Sequence, residues 1–178
     1  MKKILKLTVV LFLICAVVAA VLGAVNEVTK GPIALRAQEK TEKAYKAVLP
    51  RGDKFTEIPK EQYSDFRSID KISSADNGAG YVVETTFTGA QGSITMAVGV
   101  DKNGYCSGIS IIKHSETSGL GEVAASSSER GQSFRKQFIG KDETITIKDV
   151  DAITGATITS KAVTAAVADA IAAVKSLG

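Results

Sequence analysis

The pattern of apolar and polar positions changes character several times along this chain. From Leu7 to Val25 it is a continuous apolar run, broken only by Thr8 and Gly23. At 1.5 Å rise per residue such a run spans roughly 28 Å, close to the hydrocarbon thickness of a bilayer, and predicts a membrane-spanning helix. From Thr29 to Val48 the pattern becomes Ala-, Glu-, Lys- and Gln-rich, with Ala34, Ala37, Ala44 and Val48 roughly on one side. It predicts a helix leading away from the membrane, with Gly31-Pro32 near its start and Pro50 past its end. Lys54 to Ala79 reads as polar and turn-rich, with a bend at Asp76-Asn77-Gly78. The period then shortens to two. Tyr81 to Phe87 is β-branched and aromatic, and Ile94, Met96, Val98 and Val100 alternate with smaller or polar neighbours. Asp101 to Gly104 predicts a hairpin turn, after which Tyr105 to Ile112 returns antiparallel. Phe134 and Phe138 sit four apart on a short helix and read as core residues. Thr144 to Ile147 reads as one more strand. From Lys161 onward Val163, Val167, Ile171 and Val174 restore helical spacing in an alanine-rich background. The sum is an α+β chain, with an N-terminal transmembrane helix followed by an antiparallel sheet flanked by helices. Its expected divisions are an anchor over residues 1–28, a juxtamembrane helix and linker over 29–55, and one domain over 56–178.

Charge orients this plan. Lys2, Lys3 and Lys6 precede the apolar run, so the N-terminus is expected in the cytoplasm and the domain outside the cytoplasmic membrane, as a single-pass protein. The formal net charge is +3, which those lysines account for. The remainder carries interspersed charges without a basic stripe or an aromatic platform, which excludes nucleic-acid binding. A cleaved signal peptide is the alternative to an anchor, cut after Val18-Ala19-Ala20. The apolar run continues past that point and exceeds a usual signal core, which favours retention. Cys15 lies mid-span, and Leu13-Ile14 before it lacks the small residue of a lipidation site. Cys106 is then alone in the domain, so no internal disulfide forms. His114, the only histidine, lacks the company of a metal site, and no acid–base pair marks a catalytic centre.

The chemistry concentrates in Asp151-Ala-Ile-Thr-Gly-Ala-Thr-Ile-Thr-Ser160. Gly155 permits a bend and a close approach, with Thr154 and Ala156 beside it. Thr159 and Ser160 are the expected N-cap residues of the last helix. The helix N-terminus, with its free amides and positive dipole end, makes an anion site next to Thr157. A threonine hydroxyl is a weak nucleophile without a base, and none is near, so Thr157 is not self-activating. The plainer reading is a Gly-turn and a helix cap. A second segment, Lys113-His-Ser-Glu-Thr-Ser-Gly-Leu-Gly121, follows the strand-like Ile109 to Ile112. Gly119 and Gly121 free the backbone, Glu116 and Thr117 offer polar groups, and Leu120 offers an apolar surface for a planar ring. Its plainer reading is a polar surface turn.

Taken together and in this order, the two segments resemble those of the FMN-binding domain in the G subunit of the Rnf electron transport complex. The C subunit of the sodium-pumping quinone reductase is similar. Ser118 stands where that family usually has proline. The resemblance implies flavin mononucleotide (FMN) held covalently on Thr157 as a phosphoester, installed by a separate flavin transferase using FAD and magnesium. It implies that Glu116, Thr117, Gly119, Leu120 and Gly121 touch the flavin, while Thr154, Gly155 and Ala156 surround the phosphate. Asp151 serves either transferase recognition or the turn itself. The implied role is a non-catalytic electron relay among the subunits of a membrane-bound, ion-translocating ferredoxin:NAD oxidoreductase. NAD itself is not expected to bind, since no Gly-x-Gly-x-x-Gly joins a strand to a helix. The alternatives are the C subunit of the quinone reductase, a stand-alone exported flavoprotein, or an unflavinylated membrane-anchored scaffold.

Overall fold

Successive hairpins build the sheet, so each strand pairs with the next in sequence. The computed structural model describes residues 2–116 and 121–177. They fall into two units, 1–40 and 41–178. The first is the greater part of helix α1, Lys2–Val48. Its apolar residues are exposed, among them Leu11 at 64% and Phe12 at 72%, as expected of a helix made for lipid. The helix start expected near Gly31-Pro32 falls instead within a longer helix. Pro32 lies inside α1, which is continuous; proline forgoes one intrahelical bond there while the flanking turns keep theirs.

The second unit holds the sheet. Strands β1 (Phe55–Glu57), β2 (Ile69–Ala75), β3 (Gly80–Thr88), β4 (Ser93–Asp101) and β5 (Cys106–His114) form an antiparallel meander in the order β1-β2-β3-β4-β5. Period-two alternation gives it two apolar faces. Val83, Met96, Val98 and Val100 point to one side, where α3 (Thr157–Lys175) buries Val163, Val167, Ile171 and Val174 against them. This is the main core. Val82 and Ala97 point to the other side, against Ala44, Tyr45 and Val48 from the last turns of α1. There Tyr45 Oη donates to Glu84 at 2.5 Å, and Ser107 Oγ donates to the Val48 carbonyl at 2.5 Å. Burying one such aliphatic side chain contributes about 1.5–3 kcal/mol, so both faces require cover.

Two further expectations need correction. The stretch read as turn-rich contains β1 and β2. Ile69 and Ile72 are three apart yet share the main core, because a register shift between Ile69 and Lys71 breaks the alternation. Conversely, Thr144 to Ile147 is no strand. Asp142 accepts from the backbone and hydroxyl of Thr144, and Asp149 does the same for Thr146, ahead of the short turn Ile147–Asp149. Such local bonds compete with strand pairing. Phe134 and Phe138 do belong to the core, ring edge to face at 5.3 Å; Phe138 lies just past the end of α2 (Glu129–Lys136).

Candidate functional site

The loop before α3 is a four-residue turn with a distinct lock. Ala156 N donates to the Ile153 carbonyl at 2.8 Å, and Gly155, third in the turn, has φ +81°. That value is the type II geometry that favours glycine. Ser160 Oγ holds the turn from below, donating to the Ala156 carbonyl and accepting from Ile153 N, both at 3.0 Å. The predicted cap is therefore misplaced. α3 begins at Thr157, its N-cap is Ala156, and no side chain caps it. Thr159 and Ser160 lie inside the first turn with their hydroxyls engaged below. Among the described residues the first-turn amides thus keep free donors at the positive end of a 19-residue helix.

Thr157 is exposed on that end, and Ile158 beside it is 64% exposed. Thr154 and Gly155 are also exposed, while Ala156 is buried. Thr154, Gly155, Ala156 and Thr157 therefore share one corner of the domain. Upstream, Asp151 is clasped through its backbone: its N–H donates to Gln137 Oε1 at 2.7 Å, and its carbonyl accepts from Gln137 Nε2 at 3.3 Å. Between this stretch and α2 lies a cleft of about 350 Å³, lined among others by Arg130, Ser133, Gln137 and Thr154. Neither the Gln137 clasp nor the Ser160 lock was drawn from the sequence. A glutamine on a short helix carries no motif signal, and Ser160 reads as an ordinary cap.

Glu116 reaches the same corner from the end of β5. Its Oε2 accepts from Thr159 Oγ1 at 2.9 Å, and its Oε1 accepts from the backbone N–H groups of Gln91 and Gly92 at 3.1 and 3.3 Å. Partial burial acts upward on this carboxyl and is its largest single influence. The donors from Gln91, Thr159, Gly92 and Ala90 together outweigh it and hold the group below the ordinary glutamate range. Its acceptors are turned inward, toward the protein. Gly89 and Gly121 flank it, and a Cβ on either would strike the carboxylate. Of the other expected loop contacts, Thr117, Gly119 and Leu120 lie outside the described residues. His114 pairs with Ile94 at the end of β5, and its Nδ1 is buried without a partner among the described residues. Cys106 is elsewhere, a buried thiol pushed by desolvation up to about 12 and so unreactive at neutral pH. No cluster of potential metal ligands occurs among the described residues.

Residues 89–172, which contain this corner, match the FMN-binding domain family. Over almost its whole length the chain is also similar to curated proteins. It is 32% identical to the G subunit of the ion-translocating oxidoreductase complex of Methanosarcina acetivorans, over 96% of this chain and 94% of that one. It is 33% identical to the G subunit of the Na(+)-translocating ferredoxin:NAD(+) oxidoreductase complex of Acetobacterium woodii, over 93% and 89%. To the proton-translocating counterpart of Clostridium ljungdahlii it is 34% identical, over 95% and 90%. Relatives named for different ions stand at nearly equal identity, so overall likeness assigns neither ion to this chain.

Proposed function

The chain belongs to the family of G subunits of ion-translocating oxidoreductase complexes, and from that membership we propose that it is an electron-relay subunit with FMN held covalently on Thr157. One observation carries the reading. Within the matched FMN-binding domain, Thr157 stands exposed at the uncapped start of α3, directly after a positive-φ glycine and one alanine.

The donor set fits a phosphoryl group at that position. Free first-turn amides and the helix dipole stabilise an anion, and no carboxylate is engaged at the Thr157 oxygen to oppose it among the described residues. When bound, a flavin accepts two electrons and can release them one at a time. The chain's own contribution is to hold and orient. Thr157 supplies the ester oxygen, which removes dissociation and keeps the carrier at high local concentration beside its partners. Gly155 supplies the bend, Ser160 and Gln137 fix the loop, and Thr154 and Ala156 border the phosphate. Ile158 and the segment from Thr117 to Gly121 would border the ring. The exposed setting of Thr157 suits exchange with partner proteins rather than conversion of a substrate in an enclosed site.

The lysine-led apolar part of α1 then serves as a single-pass anchor in the cytoplasmic membrane over residues 1–28. Residues 29–55 lead from it, and the flavin-carrying domain, 56–178, lies on the far side from the cytoplasm. Its partners are the other subunits of a ferredoxin:NAD oxidoreductase complex and, during maturation, a flavin transferase.

The test is in-gel fluorescence under ultraviolet light after denaturation, on full-length protein from cells that contain the transferase. Wild type is expected to give a fluorescent band and Thr157→Val none. A band that persists in Thr157→Val moves the attachment elsewhere. A dark wild-type protein whose intact mass carries no nucleotide supports an unflavinylated scaffold instead.

A further inference from the structure

We propose that Glu116 is a positioning residue for flavin attachment, its carboxylate tying the β3–β4 turn to the first turn of α3 and thereby setting how Thr157 is presented. The inference rests on Thr157 being the attachment residue.

The geometry gives one side chain three anchor points. Glu116 leaves the sheet at the end of β5, two residues beyond the Ile94–His114 pair. One carboxylate oxygen takes two backbone donors from the β3–β4 turn, and the other takes the Thr159 hydroxyl. Thr159 is 0% exposed, whereas Thr157 is exposed. At 3.6 residues per turn, positions two apart lie on opposite sides of a helix. The tie therefore grips the inner side of the turn whose outer side presents the acceptor hydroxyl. The rest of α3 does not depend on it, since Val163, Val167 and Ile171 are held by the main core. A first turn without such a tie frays readily, because helix ends are the least stable part of a helix.

The tie depends on acceptors rather than on volume. The carboxylate accepts from the turn amides and from Thr159 together. Glutamine could keep both sides, its oxygen toward the turn amides and its NH₂ toward a Thr159 hydroxyl turned round to accept. Glu116→Leu is close in volume, offers no acceptor and removes the tie on both sides. The reaction served joins Thr157 Oγ1 to the flavin-side phosphorus of FAD. It breaks the pyrophosphate bond, releases AMP, and passes the hydroxyl proton to a base on the transferase. Its rate depends on the angle and reach of that oxygen, and small misplacements of a reacting group are costly.

The experiment measures the initial rate of flavin incorporation into full-length protein by purified transferase with FAD and Mg²⁺, read by in-gel fluorescence. Glu116→Leu and Thr159→Val are each expected to load about tenfold more slowly, the scale of one lost hydrogen bond to a charged group. Thr159→Ser, which keeps the hydroxyl, is expected to load within about twofold of wild type on the same scale. The double variant Glu116→Leu/Thr159→Val is expected to be no slower than the slower single, because both break the same tie. Wild-type rates in both single variants, multiplied effects in the double, or failure of Thr159→Ser to restore loading would each overturn the proposal. Should Glu116→Leu misfold, the Thr159 pair decides alone. Fluorescence surviving in Thr157→Val would overturn the attachment residue itself, an outcome separate from all of these.

Discussion

Gly155 is the residue on which the loop before α3 turns. Its φ of +81° is a conformation that a β-branched side chain resists, at a cost of about 1–3 kcal/mol. Gly155→Val is therefore expected to impair flavin loading while circular dichroism shows the sheet and α3 still folded. Normal loading in that variant would contradict the role given to the bend. This glycine was legible in the sequence because a Gly-Ala step before a helix has a narrow conformational meaning. The duty of Glu116 was not. Three of its bonded partners lie 25, 24 and 43 residues away, and no local pattern encodes such a meeting. From sequence alone its carboxylate reads as an acceptor on a loop; in the fold its oxygens also accept from two backbone N–H groups and the Thr159 hydroxyl. The same blindness applied to Ser160, which reads as a cap but locks the turn from inside the helix.

Among the elements, α3 joins the site to the core. Ile171 is fully buried at the centre of the sheet's main face. Ile171→Ala is expected to lower stability by about 2–5 kcal/mol in urea unfolding followed by circular dichroism. A change under about 0.5 kcal/mol, typical of an exposed position, would show that α3 is not packed as described. β4 and the apolar face of α3 were legible from their spacing, β3 from its β-branched and aromatic run, and β5 from the hairpin turn that precedes it. β2 was hidden by its bulge and by the serines and charges that share its seven residues. Thr144 to Ile147 has the composition of a strand, and aspartate–threonine bonds overrule it. A helix start was expected near Pro32 because proline is common there; the long apolar and alanine-rich flanks carry helix through it instead.

At the scale of the whole molecule, the apolar run of α1 decides whether the domain stays tethered. Intact-mass analysis of the protein from membranes is expected to find the N-terminus upstream of the Leu7–Val25 run. A mature N-terminus near Val21 would replace the anchor with a cleaved leader. The order of the strands has a further consequence. Because the spatial order of the sheet repeats its order in the chain, hairpins can close one after another as the polypeptide emerges. α3 comes last, and until it docks Glu116 has no Thr159 to hold and Thr157 has no fixed bearing. A modifying enzyme that recognises the finished corner would thus pass over truncated or half-folded copies, so that prosthetic-group insertion doubles as quality control on biosynthesis.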